Sequence, residues 1–177
     1  MNYEQLIKES REFAIEKHGN QMYGDKPYIY HLDEVHSLAI HYNLPPIYQV
    51  TAYLHDLLED QNVSKDEIVN KFGIEAYNMV FAVSGFGETR KERSMDIRTK
   101  LESNIEAIDL KMIDRIANVK NSILNNPKLL NMYKKEHADY MPIFAKGSKI
   151  IFNDLNKLLN IENTMANVNK VKKNNIL

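Results

Sequence analysis

Hydrophobic positions along the chain recur at three- and four-residue intervals. Leu6, Phe13 and Ala14 are followed by Val35, Leu38 and Ala39, then by Val50, Leu54, Leu57 and Leu58. Such spacing lays an apolar stripe along one face of a helix. Apolar/polar alternation nowhere persists long enough to predict a strand. Punctuation is sparse, with six glycines and five prolines. Gly19 and Gly24 bound a loop, Asn43 to Pro46 forms a tight connection, and Gln61 to Ser64 another. Ser64 followed by Glu67 reads as a capping box. Gly85 to Arg93 reads as a mobile basic loop, and Asn125 to Pro127 ends a further helix. Short loops between helices predict a compact all-α multi-helix bundle. Helix-rich sequence from Leu129 to Leu159 is expected to close that bundle, although an oligomer contact is equally compatible. From about Asn160 the chain is rich in Asn and Lys and is expected to fray. The expected organisation is one domain over residues 1–160 and a tail over 161–177.

Composition narrows the chemistry. At 177 residues and 20.6 kDa the chain has enough sequence for one domain with its own core. Cysteine is absent, which excludes disulfides, thiolate metal sites, iron–sulfur clusters and Cys nucleophiles. Any metal must be held by His, Asp, Glu or backbone oxygen, a set that favours Mn²⁺, Mg²⁺ or Fe²⁺. Charge is balanced, 23 Lys and Arg against 24 Asp and Glu. Neither a long nucleic acid nor a membrane is therefore an expected partner. No apolar run approaches the roughly 18 residues of a membrane span, and no signal peptide opens the chain. A soluble cytoplasmic protein is expected, of undetermined oligomeric state.

One segment concentrates titratable groups. Residues 50–60 read VTAYLHDLLED. As a single helix, they place Tyr53, Leu57, Val50, Leu54 and Leu58 on one face and His55, Asp56, Glu59 and Asp60 on the other. Crowded carboxylates repel one another unless a cation sits among them. Taken alone, such a face is also what any solvated amphipathic helix presents. His31 closes KPYIYH just before a helix expected over Leu32–Tyr42, where a packed or capping histidine is equally at home. Asp114 lies in LKMIDRIANVKNSIL, with Met112, Ile113, Ile116, Val119 and Ile123 marking the buried side. Asp114, Asn118 and Asn121 share a narrow polar stripe, while Lys111 falls towards the buried arc as a packing stem with a snorkelling head.

In order, His31, His55–Asp56 and Asp114 form a pattern that resembles the HD-domain superfamily of metal-dependent phosphohydrolases. The surrounding words HGNQ (18–21), KPYIYH (26–31), AYLHDLLED (52–60), KFG (71–73) and KMIDRIAN (111–118) are more specific. They resemble the hydrolase half of the RelA/SpoT alarmone enzymes over roughly residues 5 to 125. The length implies a free-standing small hydrolase without a synthetase half. The resemblance implies an HD-domain bundle in which His31, His55, Asp56 and Asp114 bind one divalent cation, of the Mn²⁺ type. It implies a nucleotide substrate, guanosine 5′-di- or triphosphate 3′-diphosphate, from which water releases pyrophosphate. Glu59 and Asp60 match the family's acid pair, Asn118 matches its ribose-contacting asparagine, and Lys111 also matches. Arg90, Lys91, Arg93, Arg98 and Lys100 fall where the family has a basic segment near the pyrophosphate, with no single residue assigned.

The chain also departs from that pattern. Met22 and Tyr23 stand where the family has a basic pair whose arginine packs on guanine, so Tyr23 offers an aromatic face instead. Leu32 replaces the proline after the first metal histidine, and Asn121 replaces a threonine near the base. The reaction class is thus better matched than guanine specificity. Alternatives are an adenine alarmone hydrolase, a 5′-nucleotidase or cyclic phosphodiesterase of the same superfamily, a non-catalytic nucleotide-binding scaffold, and a plain helical interaction protein.

Overall fold

The computed structural model describes residues 2–159, and the expected tail over 161–177 lies outside the described residues. Its helices are α1 (Tyr3–His18), α2 (Ile29–His41), α3 (Pro46–Leu54), α4 (Leu57–Asp60), α5 (Lys65–Val83), α6 (Arg90–Ser103), α7 (Ala107–Asn125), α8 (Pro127–Phe144) and α9 (Lys149–Leu158). The all-α expectation is met, with one addition. Where a plain loop was expected after Gly19, β1 (Met22–Tyr23) and β2 (Lys26–Pro27) pair as an antiparallel hairpin. Gly24 turns it with φ +65°, a conformation that two-residue hairpin connections take from glycine. Strands this short carry no alternation that a sequence could display.

Two helices form the interior. In α3, Ile47, Tyr48, Val50, Thr51, Ala52, Tyr53 and Leu54 are all buried. A helix buried on every side must be enclosed by others, and α3 packs against α1, α2, α5 and α7. The long helix α7 packs against α2, α3, α5, α8 and α9, so α8 and α9 close the bundle over it. Polar residues carried by these two helices are therefore delivered inside the protein. His55 at the end of α3, and Lys111, Asp114 and Arg115 in α7, are all buried. Buried charge is tolerated only when paired or metal-bound, which ties the packing directly to the site.

Several local readings hold. Ser64 and Glu67 form the capping box that opens α5, and Asn43 and Asn62 adopt φ +51° in the two tight connections. Others need correction. Residues 50–60 are not one helix, because α3 ends at Leu54 and α4 starts at Leu57. His55 Nδ1 lies 2.8 Å from the Ala52 carbonyl. Ser84 Oγ donates to the Val80 carbonyl at 2.8 Å and to that of His55 at 3.4 Å. Side chains thus satisfy carbonyls at the end of α3, and the backbone ladder can stop there. The basic stretch is also more ordered than expected. Helix α6 begins at Arg90 behind a Thr89–Glu92 capping box, and the preceding loop is held by Phe86 N donating to Asp96 at 2.9 Å. Ile123, expected on the buried side, is 44% exposed beside Leu124 at 81%. No helix among the described residues is long and apolar enough to cross a membrane.

Candidate functional site

The break between α3 and α4 turns His55 and Asp56 towards His31 at the start of α2 and Asp114 in α7. His55 Nε2 lies 3.1 Å from Asp56 Oδ2 and 3.6 Å from Asp114 Oδ1. His31 Nε2 lies 3.6 Å and 3.4 Å from the same two oxygens. Ligand atoms around an ion with bonds of roughly 2.0–2.3 Å sit roughly 3.0–3.6 Å apart, and each of these four His–Asp distances falls in that range. His31, His55 and Asp56 alone already form a compact metal-capable group.

Protonation and hydrogen bonding support the fit. With its Nδ1 held by the Ala52 carbonyl, His55 aims Nε2 into the cluster, where that buried atom has no hydrogen-bond partner among the described residues. A histidine oriented through one nitrogen so that the other faces a metal is a recurring arrangement. Burial disfavours a charged His55, but Asp56 and Asp114 outweigh it and raise its pKa well above the usual value. Burial opposes ionisation of Asp56 too, yet His55 and His31 hold its carboxyl well below the ordinary range. Asp114 is depressed likewise, with Lys111 the strongest partner acting against burial. The cluster attracts positive charge, whether protons or a cation.

Around it, supporting contacts fix the donors. Tyr28 Oη donates to Asp56 Oδ2 at 2.7 Å and stacks on His18 with ring centroids 4.3 Å apart. His18 in turn meets Gln21 Oε1 at 2.7 Å, and Gln21 Nε2 donates to Asp60 Oδ2 at 2.8 Å. HGNQ thus lies behind the site, reaching one of the two acids on α4. The other acid points elsewhere: Glu59 Oε1 accepts from Gly85 N at 2.5 Å. Burial raises the Glu59 pKa, although Lys111 and the Gly85 N–H pull it down.

The remaining predicted residues are drawn to the same region, not all in the expected way. Lys111 is no snorkelling stem. Its ammonium is buried and donates to Asp114 Oδ2 at 3.0 Å, because α7 is enclosed on the face that a single-helix projection assigns to the core. Asn118 Nδ2 donates to Asp114 Oδ1 at 2.5 Å, and its Oδ1 accepts from Tyr23 Oη at 2.9 Å. Tyr23 lies flat on His31, centroids 4.7 Å apart, so that face of its ring is already covered. Asn121 accepts from Asn125 at 2.7 Å and lies outside the lining of the metal cleft.

A cleft of about 230 Å³ opens onto the cluster, lined by Tyr28, His31, Asp56, Glu59, Asp60 and Asp114 together with Arg90, Lys111, Arg115, Asn118 and Tyr133. A smaller one of about 140 Å³ adjoins it and shares Glu59, Arg90, Lys111 and Arg115. The basic run therefore divides. Arg90 and Arg93 line the smaller cleft. Lys100 lies over the rings of Phe81 and Phe86 at 4.2 Å each, and Arg98 turns to Asp139 at 3.9 Å. A larger cleft of about 550 Å³ between α2 and α7 contains none of the predicted site residues and is mostly apolar. Arg115, Tyr28, Tyr133 and Glu136 were not singled out in the sequence. Tyr28 sits inside KPYIYH and Arg115 beside Asp114, whereas Tyr133 and Glu136 reach the site only through the folding of α8 over α7.

Gly85 offers a test of how tightly Glu59 is held. A Cβ there meets Arg93 O at 2.8 Å, Arg93 Cβ at 2.9 Å and Glu59 Oε1 at 3.0 Å. Overpacking of this kind costs about 1–3 kcal/mol. Gly85→Ala is expected to lower turnover by roughly tenfold or more, measured alongside the thermal midpoint. Full turnover with an unchanged midpoint would show that the Gly85–Glu59 contact is dispensable.

No family model matches the chain. It is 30% identical over 144 residues to a guanosine-3′,5′-bis(diphosphate) 3′-pyrophosphohydrolase of Aquifex aeolicus, a match covering 77% of this chain and 21% of that protein. It is 26% identical over 148 residues to the protein of the same name from Spiroplasma citri, covering 78% and 20%. A GTP pyrophosphokinase of Brucella ovis is 24% identical over 154 residues, covering 81% and 20%. The chain thus spans about a fifth of these relatives. Among solved structures, one described as a metazoan ortholog of SpoT that hydrolyzes ppGpp superposes with a TM-score of 0.68 at 17% identity, covering 86% of this chain and 94% of that one. The likeness of fold reaches beyond the two-thirds of the chain that carries the sequence words. In sequence the chain is thus similar to part of these RelA/SpoT-type relatives, and in fold it is similar to the SpoT-ortholog structure.

Proposed function

We propose that the chain is a metal-dependent hydrolase that removes the 3′-diphosphate from guanosine 3′,5′-bis(diphosphate) and its triphosphate counterpart. The observation that carries this reading is a pair of imidazole nitrogens, each 3.1–3.6 Å from an oxygen of Asp56 and of Asp114, beside a second cleft lined by arginine and lysine. His31, His55, Asp56 and Asp114 would hold a divalent ion, with Mn²⁺ suited to a mixed nitrogen and carboxylate set. When bound, such an ion lowers the pKa of water and stabilises charge growing on phosphoryl oxygens.

The chain's own residues supply the rest. Glu59, partly buried and facing both clefts, would take a proton from the attacking water and return one to the leaving oxygen. Water adds at the phosphorus bonded to O3′, the P–O3′ bond breaks, and the nucleoside oxygen gains a proton as pyrophosphate departs. Asp60, tied to Gln21, orders water at the cleft mouth. Lys111, through Asp114, keeps that carboxylate ionised and oriented. Asn118 lines the cleft and would meet the nucleoside, with Tyr23 behind it, and substrate must exchange with the Tyr23–Asn118 hydrogen bond to use either residue, whereas Asn121 stands outside that lining.

A second reading, broader base tolerance, is favoured by Tyr23 itself. Met22 and Tyr23 replace the family's basic pair and the Tyr23 ring is already stacked on His31, so the guanidinium that packs on guanine in the family has no counterpart at these two positions. Incubation with Mn²⁺ and 3′-pyrophosphorylated guanine and adenine nucleotides, resolved by anion exchange, tests both readings. Pyrophosphate with guanosine diphosphate is the expected product pair. Comparable rates on the adenine substrate support the second reading. Release of orthophosphate alone assigns a different phosphohydrolase activity, and failure on both nucleotides removes the alarmone reading.

A further inference from the structure

The smaller cleft contains an unusual counter-charge. Glu136, on α8, accepts from one edge of the Arg90 guanidinium, Nε at 2.5 Å and Nη2 at 3.0 Å. The same carboxylate accepts from Arg115 Nη1 at 2.9 Å. Three helices, α6, α7 and α8, are thereby pinned at one carboxylate. Neither arginine occupies a site that helix stability favours. Arg90 is the first residue of α6, where the helix dipole disfavours a cation. The Arg115 side chain is 5% exposed, and a buried guanidinium is strongly unfavourable without an anion. Residues that break a local rule in this way commonly mark function.

The arginines are also aimed at the chemistry. Arg90 and Arg115 line both clefts, together with Glu59 and Lys111. A guanidinium fork accepts a carboxylate or a phosphate with the same geometry. The smaller cleft, about 140 Å³, is below the usual range for a drug-sized ligand site and suits a compact anion. Glu136 is thus a carboxylate standing where phosphate oxygens would otherwise be gripped.

We propose that Glu136 is a positioning residue for the leaving diphosphate. It holds Arg90 and Arg115 converged before substrate arrives, then competes with the diphosphate for them and limits how tightly the product is retained. The identity of the anion rests on the hydrolase reading above, whereas the competition does not require turnover.

That distinction sets the test. Binding of inorganic pyrophosphate to the Mn²⁺-loaded full chain is measured by calorimetry, with orthophosphate as comparison. Glu136→Gln keeps the size and one acceptor oxygen but removes the charge. Pyrophosphate is expected to bind about tenfold tighter to it, with a smaller gain for orthophosphate. Arg90→Met, at a half-exposed position, is expected to bind pyrophosphate about tenfold more weakly. A purely structural bridge predicts the opposite sign for Glu136→Gln, because loosened arginines grip less well. Unchanged or weaker binding in a folded Glu136→Gln protein overturns the proposal. Should that variant not fold, Arg90→Met decides, and unchanged affinity there overturns it. Hydrolysis without these binding changes keeps the hydrolase reading and removes this one. The binding changes without hydrolysis keep the competition between Glu136 and the anion and remove its assignment to a leaving group.

Discussion

Asp56→Asn is expected to abolish metal retention and to lower phosphohydrolase activity by at least about a thousandfold. Asp56 Oδ2 is shared by three groups, 3.1 Å from His55 Nε2, 3.6 Å from His31 Nε2 and 2.7 Å from Tyr28 Oη. An amide keeps the size and an acceptor for Tyr28 but removes the charge that draws a cation between two imidazoles. The two histidines then face only Asp114, whose other oxygen is committed to Lys111 at 3.0 Å. The fold should survive, because Asp56 lies at a helix break and lends no apolar surface to the core. Metal content after dialysis, circular dichroism and pyrophosphate release together check the outcome. A variant that keeps its metal and loses activity would move Asp56 from ligand to a role in proton transfer. One that keeps both would remove the four-donor site.

Much of this site was legible before any coordinates, for a physical reason. Metal donors must be ionisable residues, and a compact helical protein can bring them together only from a few helix ends and faces. His31, His55, Asp56 and Asp114 are each ambiguous alone, and it is their order, with the surrounding words, that resembles the HD-domain pattern and singles them out. What escaped was whatever depends on the third dimension. A single-helix projection placed Lys111 with the core, correctly for burial but without showing that Asp114 waits there. Continuing one helical wheel through residues 50–60 assumed an unbroken ladder, which Ser84 and the His55 ring interrupt from within. The hairpin at Met22–Tyr23 was invisible because two-residue strands have no period. Its consequence is large, since it lays Tyr23 on His31 and against Asn118. Glu136, about twenty residues beyond Asp114 in the chain, carries no sequence signal at all. Only the packing of α8 on α7 brings it to Arg90 and Arg115.

Glu59→Gln is expected to reduce turnover by roughly a hundredfold to ten-thousandfold, the range for loss of a positioned acid–base group, with metal content unchanged. Asp60→Asn is expected to cost far less. The sequence presents the two acids as equivalent neighbours, but their surroundings divide them. Glu59 is partly buried, its pKa raised by burial, and it is oriented by the Gly85 N–H while facing both the metal cleft and the arginine-lined cleft. A carboxyl group with a raised pKa and a fixed direction suits a proton carrier near neutral pH better than a solvated one. Asp60 is exposed, lines only the metal cleft and is occupied by Gln21. The glutamine at 59 still accepts from Gly85, so the cleft keeps its shape while losing the proton acceptor. Comparing the two variants at saturating substrate isolates that single change. Equal losses would make the pair a shared water-ordering device, and a larger loss at Asp60 would reverse the assignment.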